Sequence, residues 1–225
     1  MKKFFPKVVL SLLTVFALTT AVHADNYAKA HTFITAAVSD FKEIRIIGVN
    51  SDYTFGKWGY PGITITQNVV DWGGVSYNEF CAKYIDTEVS GGVLTLTVDC
   101  SFLNPESGWN PRNGMIDAIN IYVPSNVKLK SIVNEGAYYT NMSITGFDQS
   151  SLSITASNRV DLVNCKFDKL SLSPYKDTQL ANMCEYNLGL TAVSIDKLTI
   201  RTIDVANYKI DFRFGVQIKK TDWKK

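Results

Sequence analysis

Histidine is scarce in this chain of 225 residues, which contains only two. His23 falls within the first 24 residues, so His31 is the one that remains if this leader is removed. A Ser-His-Asp or Cys-His catalytic site would have to use His31, which precedes every strand that the sequence predicts. The G-x-S-x-G, P-loop, G-x-G-x-x-G and H-E-x-x-H motifs do not occur either. We therefore expect that the protein is not an enzyme and that it holds no cofactor or metal.

An excess of charge of one sign is also lacking. Three of the 23 basic residues and none of the 21 acidic residues lie in the first 24, which leaves 20 basic residues against 21 acidic ones. The basic ending Lys219–Lys225 is short and is typical of a solvated chain end. Because a nucleic-acid-binding surface needs many positive charges against phosphate, we expect no nucleic-acid partner.

The only extended apolar run lies at the start of the chain. A basic Met1–Lys3 precedes the apolar segment Val8–Ala21, which is shorter than the ~20 residues that a membrane-spanning helix needs. Small residues then flank the histidine of Val22–Ala24. This order is typical of a secretory signal peptide. We predict that residues 1–24 are removed and that residues 25–225 form one exported domain without a transmembrane segment.

The region from residue 127 to residue 200 repeats itself with a step of roughly 18 residues. Four columns follow this step: Leu152, Leu170 and Leu188; Ile154, Leu172 and Leu190; Thr155, Ser173 and Thr191; and Ile144, Leu162, Leu180 and Leu198. Apolar residues alternate with polar ones, which is the period of a strand. Since a strand rises by about 3.3 Å per residue, a repeat of this length must form two or three short strands. Stacked in register, they predict a parallel β-helix, a solenoid of about four coils.

Strands with the same alternation surround the repeat. They are predicted at Phe41–Gly48, Ile63–Thr66, Tyr84–Val89, Val93–Val98, Ile116–Val123 and Tyr208–Phe214. No segment of ten or more residues after the leader has helical spacing. The predicted class is therefore all-β, with β-hairpin strands ahead of a β-helix.

The four cysteines show no C-x-x-C spacing of a metal or redox motif. Cys81 and Cys100 flank the turn signal Ser90–Gly92, and a two-residue turn at Ser90 and Gly91 would place them opposite each other in a hairpin. They are therefore the disulfide candidate, which export would permit. Cys184 follows Cys165 by one position more than the step of the repeat, so the two would lie close together on adjacent coils. A bridge or a pair of buried thiols fits them equally well.

The polar ladders and the carboxylates of the repeat bear on function. The Thr155–Ser173–Thr191 and Asn164–Asn182 ladders are more typical of structural stacking than of a binding surface. A sugar-cleaving β-helix needs clustered carboxylates, but Asp161 aligns with Gln179 and Lys197 in the following coils. The sequence thus disfavours a carbohydrate-active enzyme.

An aromatic segment, Tyr53–Phe80, interrupts the strand pattern and contains Trp58, Tyr60 and Trp72. Exposed aromatic rings would form a sugar-stacking or protein-binding surface, whereas buried rings would cap the open end of the solenoid. The cap is the favoured interpretation, and these three residues are the contact candidates if the rings are exposed.

A loop rich in Pro, Gly and Asn, Phe102–Gly114, interrupts the strand pattern a second time. It contains Trp109 and Arg112, which we consider further candidates for contact with a partner. Long loops inside compact domains are often functional.

The strand motifs resemble those of the auto-transporter adhesin head GIN domain family, exported bacterial proteins of which many come from Bacteroidetes. The resemblance rests on Phe41-x-x-Ile44-x-Ile46-x-Gly48, Tyr84–Leu96 with its glycine turn, Ile119-x-Ile121-Tyr-Val123-Pro124, and Leu129–Ile132 with the repeats. It implies a right-handed β-helix and a periplasmic, surface or secreted location in a Gram-negative bacterium, and it supplies no catalytic residues. The corners of the repeats and the two interrupting segments depart from the family pattern.

Our first hypothesis is an exported, non-enzymatic binding or adhesion module whose partner is a polysaccharide or an envelope or host protein. The alternatives are a carbohydrate-active β-helix enzyme, which needs two carboxylates in one groove, and a purely structural envelope protein.

Overall fold

The computed structural model describes residues 33–38, 41–50, 62–99, 101, 119–135, 141–156, 159–175, 186–201 and 208–224. These residues form β-strands and one short 3₁₀ helix, Glu79–Tyr84, so the predicted all-β class is confirmed. The signal peptide and His31 lie outside the described residues, and the boundaries of the leader and of the single domain stay predictions.

The strands form two eight-stranded sheets, A and B. Sheet A contains β1 (Phe33–Ala37), β3 (Ile63–Gln67), β4 (Gly74–Asn78), β7 (Ile119–Val123), β9 (Met142–Thr145), β11 (Val160–Val163), β13 (Tyr186–Thr191) and β15 (Tyr208–Phe212). Sheet B contains β2 (Glu43–Val49), β5 (Ile85–Ser90), β6 (Val93–Asp99), β8 (Ser131–Glu135), β10 (Asp148–Ala156), β12 (Lys166–Pro174), β14 (Ser194–Arg201) and β16 (Gln217–Lys224). From β6 onward, the chain alternates between the two sheets.

The order of the strands shows that the predicted right-handed β-helix is wrong. A solenoid places each strand beside the strand one coil away in the chain. In sheet A the order is β1-β4-β7-β3-β9-β11-β13-β15, so β3 lies between β7 and β9. In sheet B the order is β16-β14-β12-β10-β8-β2-β6-β5, so β2 lies between β8 and β6. Both sheets are open and mixed, because β4 pairs antiparallel with β1 and β7, and β5 pairs antiparallel with β6.

The predicted step holds for only part of the repeat. Leu152 on β10 pairs with Leu170 on β12, one predicted step later, and β9 and β11 have the same offset. Leu170 pairs with Leu198 on β14, however, which lies ten positions beyond the next predicted step, and β11 and β13 share this larger offset. Leu188 and Leu190 therefore belong to sheet A, and the inward column of sheet B continues through Leu198 instead.

One hydrophobic core lies under both sheets. Alternate residues of most strands point into it, as the polar-apolar alternation predicts, although β10 and β12 each have two successive outward residues, Ser150–Ser151 and Asp168–Lys169. Leu152 is 3% exposed, Leu170 is 1% exposed and Leu198 is fully buried. Parallel pairing places these leucines on neighbouring strands, where each side chain packs against the next. Exposing one leucine to solvent would therefore also expose its neighbours. Leu180, which was assigned to the same kind of column, lies outside the described residues.

The corners after β9, β11, β13 and β15 share a left-handed backbone. Gly146, Asn164, Ala192 and Gly215 have φ angles of 78°, 51°, 53° and 68°. The amide of Asn164 donates to the carbonyl of Thr191, and the amide of Ala192 donates to the carbonyl of Phe214, so successive corners are hydrogen-bonded to their neighbours. Asn164 thus serves in a corner, where asparagine tolerates this conformation better than other side chains do.

The hairpin of β5 and β6 has a different register from the one that the sequence predicted. Ser90 pairs with Val93 and Ile85 pairs with Val98, so the turn residues are Gly91 and Gly92. Both have positive φ, 58° and 79°, which a two-residue type I′ turn requires. The turn therefore lies one residue later than predicted, which removes the geometric argument for a disulfide between Cys81 and Cys100.

Truncation of an inward leucine tests the column in sheet B. Replacing Leu170 with alanine leaves a cavity between β10 and β14, and we expect a loss of about 2–5 kcal/mol in the free energy of unfolding, measured by urea denaturation. Ser171→Ala, at the adjacent outward position, is the matched control and should change stability by less than about 0.5 kcal/mol. Equal stability of the two variants would contradict the inward assignment of Leu170.

Substitution of Ala192 tests whether the left-handed backbone of these corners strains a residue that has a side chain. Because alanine is strained at φ 53° and glycine is not, Ala192→Gly should raise the free energy of unfolding by about 0.5–1 kcal/mol after the greater entropy of the unfolded glycine is counted. The converse change in the equivalent corner, Gly146→Ala, should lower it by about 1 kcal/mol or more. Thermal unfolding of both variants provides the measurement, and changes of the same sign would exclude this account of the corners.

Candidate functional site

Most of the predicted contact residues lie outside the described part of the chain. Trp58, Tyr60, Trp109 and Arg112 are all outside it, so their roles stay predictions. Trp72 is described and follows β3 in the connection to β4.

Trp72 is partly exposed, at 40%, and its ring packs against Tyr122 with 5.5 Å between the ring centroids. Its carbonyl accepts a hydrogen bond of 2.9 Å from the side-chain amide of Asn68. Val69 and Val70 before it are 91% and 54% exposed. The connection therefore presents an apolar tip, and the ring of Trp72 is oriented by Tyr122 and available for contact on its other side.

A groove on the outer face of sheet B, which we call the lysine–hydroxyl groove, is the more extensive site. It has a volume of about 370 Å³ and crosses β10, β12 and β14. Its polar lining consists of Lys130, Ser151, Ser153, Lys169, Ser171, Lys197 and Thr199, with Leu152 and Leu170 beneath. The sequence pattern did not predict this site.

The register of sheet B aligns the outward side chains of successive strands into two adjacent rows along the groove. Ser151, Lys169 and Lys197 are neighbours on successive strands and form the first row. Ser131, Ser153, Ser171 and Thr199 form the second row, two residues further along each strand. Neighbouring strands are about 4.8 Å apart, so like side chains recur at this spacing across the groove.

The inward leucines fix the outward rows. Leu170 separates Lys169 from Ser171, and Leu198 separates Lys197 from Thr199, so each buried leucine directs one lysine and one hydroxyl outward. The Lys-Leu-Ser and Lys-Leu-Thr triplets were visible in the sequence. They were missed because the predicted step does not align them, whereas the longer step observed between β12 and β14 does.

The positive charge of the groove is only partly neutralised. Asp222 on β16 lies 3.1 Å from the ammonium of Lys197 and 3.2 Å from that of Lys220. Hydrogen bonds from Lys197 and then Lys220 hold the pKa of Asp222 below its ordinary value, so this carboxylate stays ionised in neutral solution. Lys130 and Lys169 form no ion pair with any described residue, and their charges face the groove.

The hydroxyl row also keeps free hydrogen-bonding capacity. Ser131, at one end, donates to the carboxylate of Glu43 at 3.2 Å. The hydroxyls of Ser153, Ser171 and Thr199 have no side-chain hydrogen bond within the described residues. Each hydroxyl can donate one hydrogen bond and accept two, so the row can bind hydroxyl or anionic groups of a ligand.

The surroundings of Asp161 differ from the sequence prediction. Its neighbours in sheet A are Ser143 on β9 and Gly189 on β13, and not Gln179 and Lys197. Gly189 in turn pairs with Asp211 on β15, so two carboxylates lie on the same face of sheet A.

Both of these carboxylates are bonded to arginine. Asp161 accepts hydrogen bonds of 2.7 and 2.9 Å from Arg159, and Arg213 lies 3.2 Å from Asp211 and 3.6 Å from Asp161. A side chain at Gly189 would collide with the carboxylate of Asp161, so glycine leaves room for this network. The arrangement is typical of an ion-pair network that joins β11 to β15 across β13.

The cysteine predictions have separate outcomes. Cys81 is buried in the 3₁₀ helix rather than in a strand, and Cys100 lies outside the described residues, so their bridge is untested. Cys165 is a buried thiol whose sulfur donates to the carbonyls of Ile144 and Val163 at 3.4 and 3.3 Å. Cys184 is not among the described residues, so a bridge to Cys165 also stays a prediction.

Within the described segments, no three His, Cys, Asp or Glu side chains come together as a possible metal site. No helix in those segments has the length and hydropathy needed to cross a bilayer.

Comparison with solved structures found chains that match this one at low sequence identity and low TM-score. The chain is similar to a "putative adhesin" from Parabacteroides distasonis at 10% identity, with 85% of this chain and 76% of that one covered and a TM-score of 0.43. It is similar to a "putative lipid binding protein" from the same organism at 16% identity, with 86% and 78% covered and a TM-score of 0.43. A "putative adhesin" from Bacteroides fragilis matches at 11% identity, with 86% and 97% covered and a TM-score of 0.37.

These structures are too distant for a ligand or function to be carried over to this chain. No family model matches the sequence, and none of the curated proteins does. Membership of the GIN domain family therefore stays a prediction.

The burial of Cys165 predicts that its thiol reacts slowly with alkylating reagents in the folded protein. Burial raises the pKa of the Cys165 thiol, while hydrogen bonds from the backbone near Phe147, Val163 and Gly146 act in the opposite direction. A raised pKa lowers the thiolate fraction at pH 8, and the core excludes reagents, so iodoacetamide should label this residue at least about tenfold more slowly in the native state than in urea. Peptide mass spectrometry provides the readout, and equal labelling rates would show that Cys165 is exposed.

Proposed function

We propose that this protein is an exported, non-enzymatic binding module of adhesion type that holds an acidic polysaccharide in the lysine–hydroxyl groove. The observation that carries the proposal is the pair Lys130 and Lys169. Both ammonium groups face one groove beside a row of hydroxyls, and neither has a carboxylate partner within the described segments.

The chemistry of the groove matches a charged sugar chain. Ammonium groups bind carboxylate or sulfate groups through charge-assisted hydrogen bonds, and serine and threonine hydroxyls match sugar hydroxyls. The rows recur at the strand spacing, so the site is elongated across the strands rather than closed around a small molecule. An elongated, open groove suits a polymer better than it suits a metabolite.

The rigidity of the groove also favours binding. Its floor is formed by Leu152 and Leu170, which are 3% and 1% exposed and pack in the core. The backbone that carries the groove therefore needs little ordering when a ligand binds, although each lysine side chain that the ligand immobilises costs about 0.5–1.5 kcal/mol. Export is supported by the signal-peptide pattern of residues 1–24, which would bring the groove into contact with envelope or extracellular glycans.

The alternatives have weaker support. A carbohydrate-active enzyme needs a free acid–base pair, whereas Asp161 and Asp211 are both bonded to arginine. Recognition of an envelope or host protein would use an apolar surface, for which the tip with Val69, Val70 and Trp72 is the described candidate. A structural spacer would need neither surface.

Binding to an immobilised sulfated dextran tests the proposal, with neutral dextran as the reference ligand. The mature chain should bind the sulfated polymer, and the affinity should fall as salt screens the lysines. The double variant Lys130→Gln/Lys169→Gln should weaken this binding by about tenfold or more, because each lysine supplies a charged hydrogen bond.

The matched control is Lys83→Gln/Lys166→Gln, which removes the same charge from positions that do not line the groove. Its affinity should stay within about twofold of the parent chain's. Equal losses in the two double variants would reveal unspecific charge attraction, and equal binding of sulfated and neutral dextran would refute the acidic ligand. Circular dichroism establishes that both variants are folded.

A further inference from the structure

The two C-terminal strands leave one end of the fold uncovered. Among the described strands, β15 is the last of sheet A and β16 is the last of sheet B, and each pairs with one neighbour only. The rings of Tyr208 on β15 and Trp223 on β16 make an edge-to-face contact with 5.9 Å between their centroids, so both strands border the same end. We call this end the terminal face.

Aromatic side chains at core positions are exposed on the terminal face. Phe212 pairs with Leu190 and Trp223 pairs with Ile200, and both of these partners are fully buried. Phe212 is nevertheless 57% exposed and Trp223 is 42% exposed, because no described strand lies over them. Phe214, which follows the end of β15, is 71% exposed. Exposed apolar side chains that cluster in this way mark an interaction surface.

Positive charge is concentrated on the same two strands. Residues 208–224 contain five basic and two acidic side chains, whereas residues 25–225 as a whole contain slightly more acidic than basic ones. Both acidic side chains of the segment, Asp211 and Asp222, are already paired with basic ones. The segment therefore carries a net positive charge beside its exposed aromatic rings.

Two cations at the end of sheet B have no ionic partner. Arg201 on β14 and Lys224 on β16 lie opposite each other in the parallel register, and both are exposed. Neither forms an ion pair with any described residue. Because Lys224 directly follows Trp223, this unpaired charge lies at the rim of the terminal face. Like charges side by side repel each other, and an anion bound between them would offset that repulsion.

We propose that the terminal face docks onto the headgroup region of a membrane that contains anionic phospholipid. Aromatic rings are favoured at the boundary between headgroups and hydrocarbon, where tryptophan and tyrosine are enriched. Lysine and arginine side chains close to an anionic membrane surface are attracted to it. The strength of such docking increases with the buried apolar area and with the electrostatic attraction, and the terminal face offers both.

The open strand edges limit how deeply the terminal face enters the membrane. Along β15 and β16, the backbone groups on the outer edge have no partner in a described strand. Water satisfies such groups among the headgroups, but in hydrocarbon they would be left without hydrogen bonds. We therefore expect the rings of Phe212, Phe214 and Trp223 to reach the interface while the strands remain outside the hydrocarbon core.

The charge of the terminal face also distinguishes between occupants. Two copies that met through this face would bring two net positive segments together, so repulsion disfavours a second copy of the chain. A neutral surface would leave Arg201 and Lys224 without an anionic partner. Neither these cations nor the exposed aromatic residues line the lysine–hydroxyl groove, so membrane docking goes beyond the proposed function and does not depend on it.

Cosedimentation of the mature chain with lipid vesicles tests the docking. Vesicles of phosphatidylglycerol and phosphatidylcholine in equal parts should bind the chain at least about tenfold more tightly than vesicles of phosphatidylcholine alone, and added salt should reduce the difference. Phe212→Ser/Phe214→Ser should weaken binding to the anionic vesicles by about tenfold or more, because it removes apolar area. Arg201→Gln/Lys224→Gln should weaken it by about tenfold, because it removes two cations that face the lipid phosphates.

Two matched controls alter the same kinds of side chain elsewhere. Val69→Ser/Val70→Ser removes exposed apolar side chains from the connection between β3 and β4. Lys83→Gln/Lys166→Gln removes two positive charges from positions outside the strands β14, β15 and β16. Both double variants should bind the anionic vesicles within about twofold of the parent chain. Circular dichroism establishes that every variant is folded.

Failure of the parent chain to bind anionic vesicles, or equal binding to both kinds of vesicle, would overturn the proposal. Unchanged binding of either terminal-face variant, or an equal loss in the matched controls, would do the same. Self-association that the phenylalanine double variant abolishes, in a parent chain that does not bind vesicles, would assign the face to a second copy. Sulfated dextran should bind this double variant as it binds the parent chain, which separates docking from the function of the groove.

The depth of one ring in the membrane provides a second readout. Phe214→Trp keeps an aromatic side chain and adds one tryptophan, whose fluorescence lipid brominated near the headgroup end of its acyl chains should quench in anionic vesicles. Val69→Trp, on the connection between β3 and β4, should add fluorescence that this lipid does not quench. Quenching of the Val69→Trp signal alone would place the membrane contact on the wrong surface.

Discussion

The register of parallel pairing in sheet B is the constraint on which the rest of the molecule depends. Leu152, Leu170 and Leu198 occupy neighbouring positions on successive strands and bury one another. A slip of one residue on any strand would turn its leucine to solvent and bring a polar residue inward. Burial of each aliphatic side chain contributes about 1.5–3 kcal/mol and so fixes the register of its strand. The register in turn determines where every outward residue lies.

The surface chemistry follows from this constraint. Lysines and hydroxyls that flank the buried leucines line up because the leucines do, and Lys130, in the connection directly before β8, completes the groove. On sheet A the same alignment brings Asp161 and Asp211 to either side of Gly189, where Arg159 and Arg213 bond to them. The carboxylates of Asp161 and Asp211 are thus bonded to arginine, while on sheet B, which has ion pairs of its own, Lys130 and Lys169 have no ionic partner among the described residues.

Alternation along single strands could be predicted, but the neighbours of each strand could not. Polar-apolar alternation is a local property, so the strands around Ile44, Ile63 and Leu94 were predicted near their observed positions. The repeat step that holds from β9 to β12 was extended too far, because the connection between Pro174 and Tyr186 lengthens the next step by ten residues. The insertion of β2 and β3 between later strands leaves no local trace in the sequence.

The turn and the groove illustrate the same limit. Ser90–Gly92 signalled a hairpin, but only the positive φ of both Gly91 and Gly92 determines which two residues form the turn. The Lys-Leu-Ser triplet at Lys169 is ordinary by itself, and it becomes part of a site only when the larger step brings Lys197 beside it. Sites built from several strands depend on long-range pairing, which composition and spacing do not reveal.

The unequal steps between strands have a consequence for engineering. The step from β12 to β14 is ten residues longer than the step from β10 to β12, yet the leucine column passes from Leu170 to Leu198 without a break. Connection length and core alignment are thus separate variables in this fold, so a change in the length of one connection need not disturb the packing of the strands on either side. The same independence makes the corner between Pro174 and Tyr186 a natural position for grafting a foreign peptide onto this scaffold.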